Sequence, residues 1–263
     1  MVSIAFLRSH TLGVECLSRL ADAPAVSVEV VCTYPPDHEG WWDGSVYDLA
    51  ERLGYPILTL DEEDRLFEYP VDYLLSVYYP AILGADLLSH PERGALNLHQ
   101  AELPRYRGSN VFSHAIMNAR PDDHWRQGTT LHFMAEAVDA GDVVDRKFVD
   151  TTETDIARTL YERTREASIE LFEERLPDLV SGAIDDMGTP QEAFDGKRYF
   201  YTKNSLNGEK RIPIEELIDP DPEREAALYD RIQALDFPPF ELAYTDLGDR
   251  RVYLTASSYE TPF

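Results

Sequence analysis

The chain has 263 residues, of which 43% are apolar, which is enough for one good-sized domain with a small appendage. It carries 49 acidic against 24 basic residues, for a formal net charge of −25. A surface of this kind repels nucleic acid and offers it no basic groove. No apolar run approaches the roughly 18 residues that a membrane helix needs, so no membrane partner is expected.

The acidic residues are spread over the whole chain, and lysine occurs only at positions 147, 197, 203 and 210. A solvated, lysine-poor acidic surface keeps a protein soluble where salt screens charge repulsion, so we expect a salt-loving host. The two cysteines, Cys16 and Cys32, lie in apolar-periodic segments. We interpret both as reduced core thiols of a cytoplasmic protein, with a disulfide or a metal site as the alternatives.

Strand-like runs alternate with amphipathic segments through the first two thirds of the chain. The predicted strands are Ile4–Leu7, Val26–Thr33, Pro56–Thr59, Tyr73–Tyr78, Ala95–His99, Thr129–Ala135 and Val143–Val149. The predicted helices are Thr11–Ala21, Ser45–Leu53, Leu83–Ser89, Asn110–Asn118 and Thr154–Val180. This alternation predicts an α/β fold with a doubly wound, mostly parallel sheet, in which ligands bind outside the carboxyl ends of the strands.

After Gly182 the pattern changes to an aromatic strand, a helix and a hairpin. These elements are predicted at Arg198–Tyr201, Glu223–Leu235, and Ala243–Asp246 with Arg251–Thr255. We therefore divide the chain into a catalytic domain, 1–182, and a small α+β C-terminal subdomain, 183–263. The subdomain has little core of its own, so it must pack on the main domain or on a partner subunit, as in a homodimer.

Asn97 and His99 lie at i and i+2 at the end of a predicted strand, so their side chains point the same way. Aimed at one reacting carbonyl, the amide would donate to a developing oxyanion and a protonated imidazole would add positive charge. Asp139 lies in a turn between two later predicted strands, where its carboxylate can accept and donate a proton. Taken singly, the three residues also fit a turn asparagine, a buried histidine and a backbone-bonded aspartate.

Together, Asn97-Leu98-His99, Leu103-Pro104-Arg105-Tyr106-Arg107-Gly108, His132 and Asp139-Ala140-Gly141 resemble the folate-dependent formyltransferase family. The hallmark of that family reads N-x-H, L-P-x-Y-R-G, H and D-x-G in chain order. The resemblance covers about residues 1–180. It implies a Rossmann-like fold of the formyltransferase type, 10-formyltetrahydrofolate as co-substrate and a primary amine as acceptor.

The same resemblance implies roles for particular residues. Asn97, His99 and Asp139 would be catalytic, whereas Asp142 matches a variable position and is interpreted as structural. The folate would be held by the loop after the fourth strand, through Tyr79, Ile82 and Leu83, and by Asp139. The acceptor would be bound by Arg8, Arg107, Gly108 and Asn110, with an arginine such as Arg8 or Arg107 meeting a diphosphate.

His132 and the Trp41-Trp42 pair each allow two interpretations. His132 is either a histidine satisfied in the core or a support for the catalytic residues, as in the family. Trp41 and Trp42, in a Gly-flanked loop, either anchor that loop or stack on a base or partner. No metal-ligand spacing involving His99, His132 or Asp139 is present, and the phosphate-binding motifs of NAD enzymes and P-loop kinases are missing.

Three acceptors follow from the resemblance: a nucleotide-linked amino sugar, methionyl-tRNA and glycinamide ribonucleotide. The Ser109-Asn110 pair and the small tail are most similar to the sugar N-formyltransferase branch, and the acidic surface argues against tRNA. A 4-amino sugar on a nucleotide is therefore the favoured acceptor. A formyltetrahydrofolate hydrolase and a non-catalytic folate- or nucleotide-binding scaffold are the readings outside transfer chemistry.

Overall fold

The computed structural model describes residues 1–218 and 220–256. The strands are β1 Val2–Arg8, β2 Val26–Thr33, β3 Ile57–Thr59, β4 Tyr73–Val77, β5 Gly94–His99, β6 Tyr106–Gly108, β7 Arg126–Phe133, β8 Val143–Asp150, β9 Tyr199–Tyr201, β10 Ala243–Leu247 and β11 Arg250–Leu254. The α-helices are α1 His10–Asp22, α2 Val46–Leu53, α3 Ala85–Leu88, α4 Val111–Asp122, α5 Ala157–Ser181 and α6 Pro222–Leu235. None of these helices is long and apolar enough to cross a membrane.

One seven-stranded sheet organises the molecule, in the order β3-β2-β1-β4-β5-β7-β8. Strands β1 to β5 run parallel. Beyond β5, strand β7 pairs antiparallel with β5, and β8 pairs antiparallel with β7. The central strands are buried on both faces, which is why their sequences are near-continuous apolar runs. The prediction of a doubly wound, mostly parallel sheet is confirmed.

The helices on the two faces begin and end at conventional signals. Ser45 caps α2 by accepting a hydrogen bond from the Asp48 amide. Gly182 ends α5 in the left-handed conformation, with φ at 81°. Cys16 and Cys32 are buried and unpaired, and burial raises the pKa of the Cys16 thiol to about 12, so neither thiol is primed for reaction.

The C-terminal subdomain packs on the main domain, one of the two arrangements expected for it. Strand β9 pairs in parallel with β6, and α6 packs against α4 and α5. Within the subdomain itself, a small apolar cluster consists of Ile212, Leu228, Leu235 and Ala243. The end of the predicted subdomain, 257–263, lies outside the described residues.

Three elements differ from the sequence-based expectation. The segment entering α4, where no strand was predicted, contains strand β6, because its backbone pairs with β9, which lies about 90 residues later in the chain. A 3-10 helix, Leu60–Glu68, follows β3 where no element was predicted. The long helix α5 begins at Ala157, not near Thr154, because the Asp155 carboxylate bonds Thr152 and Arg163 in a turn before it.

Candidate active site

The candidate site lies where β5 ends beside its antiparallel neighbour β7. In that pairing Asn97 stands directly opposite His132, and the Asn97 Nδ2 atom lies 3.2 Å from His132 Nε2. Because both side chains project from the same face of the sheet, the cross-strand register brings them into contact. Of the two roles that the sequence allows for His132, this contact favours the supporting one.

The proton on His132 can be located from its two neighbours. Its Nδ1 atom lies 2.7 Å from the carbonyl oxygen of Phe133, which can only accept, so Nδ1 carries the hydrogen. Burial lowers the pKa of His132 to about 4, against the opposing effect of the Asp139 charge, so the ring is neutral near pH 7. Nε2 is then a free acceptor for one N–H of Asn97. The second N–H of the Asn97 amide is then available to donate to a ligand.

His99 is half-buried and faces the loop that follows its own strand. Its Nε2 atom lies 3.2 Å from the Tyr106 carbonyl oxygen and 3.7 Å from Asp139 Oδ2. Both neighbours are acceptors, so this nitrogen donates. The contacts hold the ring in one orientation at the carboxyl edge of the sheet.

Asp139 joins the group from the turn between β7 and β8. One carboxylate oxygen accepts a hydrogen bond from the Gly108 amide at 2.8 Å, and the other lies 3.8 Å from His132 Nε2. The predicted catalytic residues Asn97, His99 and Asp139 are thus brought together, with His132 among them. Such a cluster offers an N–H donor, an imidazole and a carboxylate to one reacting centre.

The turn that carries Asp139 is backbone-strained and tightly packed. Asp139 has a φ of 50°, in the left-handed region that non-glycine residues rarely adopt. A Cβ atom on Gly141 would lie 1.9 Å from the Phe133 carbonyl oxygen, so only glycine fits there. The requirement for glycine two residues after the aspartate gives the D-x-G pattern a physical cause.

Arg107 and Gly108, predicted to bind the acceptor, support this turn instead of standing free. The Nε and NH2 atoms of Arg107 donate to the Val138 carbonyl at 2.9 and 2.6 Å. Gly108 has a φ of 88°, and a Cβ atom there would lie 2.0 Å from the Tyr201 carbonyl oxygen. Their contact with a substrate stays a prediction, and their contact with the catalytic turn is observed.

Asn110 was predicted to begin a helix and to bind the acceptor. It precedes the helix with φ at 59° and its side chain makes no capping bond. Its Nδ2 atom lies 3.1 Å from each of three acceptors in the C-terminal subdomain, the carbonyl oxygens of Thr202 and Lys203 and the Ser205 hydroxyl. Asn110 therefore ties the segment that precedes α4 to the subdomain.

Arg8, predicted to bind the acceptor, points into the protein, and its contact with a substrate stays a prediction. It is fully buried at the end of β1, and its guanidinium lies where a side chain on Gly13 would be. Its NH2 donates to the backbone carbonyls of Ser9 and His10, and burial lowers its pKa to about 9. The sequence pattern could not show that the missing side chain of Gly13 makes room for an inward arginine.

The predicted folate loop follows β4 and is held from beneath. The Tyr79 hydroxyl donates to Glu63 at 2.6 Å and lies 3.4 Å from Cys32 Sγ, so the phenol points into the protein. Leu83 is only 4% exposed, whereas the Ile82 side chain is 76% exposed. Of these three side chains, only that of Ile82 is largely exposed, and the contact of this loop with a folate stays a prediction.

Trp41 and Trp42 anchor their loop. The centroids of the Trp42 and His10 rings are 3.7 Å apart, and a Cβ atom on Gly40 would lie 2.5 Å from atoms of the Trp42 indole ring. Trp41 packs edge-on against Tyr161 and Phe237. These contacts support the anchoring interpretation over stacking on a base.

We expect the stability of the protein to fall as the pH drops from 6.5 to about 4. The neutral His132 ring resists protonation when folded, so between these values the unfolded chain binds more protons. The stabilisation is complete above pH 6.5 and decreases by up to about 3 kcal/mol as the pH falls through this window. Denaturant titrations at high salt from pH 7.5 to 4.5 measure it. His132→Gln should reduce the slope of the unfolding free energy against pH. An unchanged slope would contradict the neutral state assigned to His132.

Known proteins are similar to this chain in sequence and in fold. Residues 60–176 match the family model described as formyl transferase. The chain is 27% identical over 270 residues to methionyl-tRNA formyltransferase of Listeria innocua, an alignment that covers 99% of this chain and 80% of that protein.

Two solved structures show that the fold is shared. A sugar N-formyltransferase from a Shewanella species superposes with a TM-score of 0.74 at 18% identity, covering 100% of both chains. An N-formyltransferase from Helicobacter canadensis, solved in complex with folinic acid and dTDP-3-aminofucose, gives 0.72 at 17% identity, covering 94% of this chain and 84% of that one. In the matched segment, in overall sequence and in fold, this chain is therefore similar to formyltransferases.

Proposed function

We propose that this protein transfers a formyl group from 10-formyltetrahydrofolate to the amino group of a nucleotide-linked 4-amino sugar. The observation that carries the transfer reaction is the convergence of Asn97, His99 and Asp139 at the end of β5, with the neutral His132 orienting the amide. A binding scaffold needs none of these contacts.

The donor side of the site fits a flat, partly apolar ring. The loop after β4 presents the exposed side chain of Ile82 above the buried Leu83, and its backbone is tied to the C-terminal subdomain by Lys203, which donates to the Pro80 carbonyl at 3.1 Å. The folate complex of the Helicobacter relative supports the same choice of donor. 10-Formyltetrahydrofolate would supply an activated formyl group on N10.

In the proposed reaction the acceptor nitrogen bonds the formyl carbon and the bond from that carbon to N10 breaks. Asn97 donates its free N–H to the oxygen as negative charge develops, and His99, when protonated, adds a positive charge nearby. Asp139 takes the proton that the amine loses and returns it to N10, so the charge balances. No serine or cysteine nucleophile is required, which agrees with the buried thiols.

The acceptor is argued from charge and from the C-terminal subdomain. A net charge of −25 opposes a polyanion such as methionyl-tRNA, whereas it tolerates a small nucleotide sugar in high salt. Beside Gly108, strand β9 presents the Phe200 ring, which is 56% exposed and 5.9 Å from the Arg107 guanidinium carbon. An aromatic face beside a cation suits a nucleotide-linked substrate. Methionyl-tRNA, the substrate named for the Listeria relative, is the alternative acceptor.

The test is turnover in high salt with 10-formyltetrahydrofolate against a panel of acceptors. The panel contains dTDP- and UDP-linked 4-amino sugars, glycinamide ribonucleotide, methionyl-tRNA and buffer alone. Release of tetrahydrofolate that depends on one amino sugar supports the proposal. Release with methionyl-tRNA or glycinamide ribonucleotide replaces the acceptor, and release in buffer alone makes the protein a hydrolase.

A further inference from the structure

We infer that the C-terminal subdomain completes the active site through Gln191, a positioning residue that holds the backbone turn carrying Asp139. The inference rests on the proposed function, since it takes Asp139 to be catalytic. Gln191 lies in a short 3-10 helix, Gln191–Ala193, 52 residues after the aspartate in the chain. No sequence motif indicated it.

One nitrogen atom of Gln191 makes two hydrogen bonds to the turn that carries Asp139. Gln191 Nε2 donates to the carbonyl oxygen of Asp139 at 2.8 Å and to that of Gly141 at 2.9 Å. A primary amide nitrogen has two hydrogens, and both are used here. The glutamine is only 4% exposed, so water cannot readily replace it when the side chain is removed.

The turn needs an external support because its conformation is unfavourable by itself. Asp139 holds a left-handed φ of 50°, and the backbone bonds across the turn are Ala140 to Ala137 at 3.2 Å and Phe133 to Asp142 at 2.9 Å. On the other side, Arg107 donates twice to the Val138 carbonyl. Two side chains from different parts of the chain therefore hold three carbonyls of one turn.

The backbone of Gln191 is anchored independently of its side chain. Thr189 and Val143 exchange two backbone hydrogen bonds of 2.8 Å, which fix the segment to β8. Arg198 donates to the Gln191 carbonyl at 2.9 Å. Replacing the side chain should therefore free the turn without releasing the segment, and this makes the inference testable.

The experiment compares Gln191→Met with Gln233→Met in the full-length protein. Gln233, in α6, is the matched control, because it is 1% exposed and its Nε2 donates to the Glu153 carbonyl at 2.9 Å, away from the catalytic cluster. Both variants should lose a few degrees of melting temperature. Only Gln191→Met should lose kcat, by about 10- to 100-fold, with the KM values for folate and acceptor within about 2-fold, since a displacement of about 1 Å costs this much.

A second readout does not depend on turnover. Hydrogen exchange should rise at the Gly108 and Ala140 amides in Gln191→Met and remain at the wild-type level in Gln233→Met. Equal kcat in the two variants, or unchanged exchange in the turn, would overturn the inference. If the wild-type protein turns over no acceptor in the panel, the proposed function fails while the exchange data still decide the role of Gln191. Gln191→Asn, shorter by one methylene, gives the same readouts if the methionine variant does not fold.

Discussion

Replacing Asn97 by alanine is expected to lower kcat by about 100- to 1000-fold, which is the typical cost of losing one oxyanion donor. The amide is fixed by His132 at 3.2 Å, so it is preorganised for the charge that develops in the reaction, and little reorganisation is needed at that moment. Affinity for formyltetrahydrofolate should hardly change, because the amide acts on the transition state. Steady-state kinetics and equilibrium folate binding measure the two effects separately.

Asn118→Ala is the control for this experiment. Asn118 lies in α4, where its amide donates to the Tyr201 hydroxyl at 2.9 Å, so its loss removes a comparable hydrogen bond without touching the cluster. Its kcat should stay within about 3-fold of wild type, as for a substitution away from the chemistry. A comparable kcat for Asn97→Ala and Asn118→Ala would remove Asn97 from the mechanism.

Asp139→Asn is expected to lower kcat by about 100- to 10,000-fold, which is the typical contribution of a positioned general acid or base to the rate. The change is isosteric, so the bond from the Gly108 amide can persist through the remaining oxygen while the charge and the proton acceptor are lost. The loss should therefore lie in kcat, with the melting temperature changed little.

Asp142→Asn provides the comparison within the same segment. Asp142 is exposed and lies three residues from Asp139, and we interpret it as structural. Its variant should retain most of the activity. If instead Asp142→Asn lost activity and Asp139→Asn kept it, the assignment of the catalytic carboxylate along the D-x-G motif would be reversed.

The cluster also explains why two histidines of one site differ in role. His132 is fully enclosed and kept neutral, so that it accepts from Asn97 and sets the direction of the amide. His99 lies nearer the surface, between a backbone carbonyl and the Asp139 carboxylate. The proposed chemistry needs one histidine that orients the amide and one that faces the carboxylate, and the two positions in the fold supply them.

Local pattern was sufficient for most of the elements. The apolar runs of β1, β2, β4 and β5 and the amphipathic stripe of α1 follow from the period of their sequences, which neighbouring residues alone determine. The same holds for the shared direction of Asn97 and His99, since i and i+2 on a strand project from one face. The turn at Asp139 was recognised by its resemblance to a known motif.

The remaining features depend on pairings between distant segments, and only the tertiary structure decided them. His132 supports Asn97 because β7 runs antiparallel to β5 in one register, and a shift by one residue would turn it away. Arg8 is buried because Gly13 leaves a space beneath α1. Gln191 reaches Asp139 because its segment pairs with Val143. The sequence by itself determined which residues could perform the chemistry, through periodicity and residue type. Their surroundings were decided by packing, because a contact across 35 or 52 residues leaves no periodic trace in the chain.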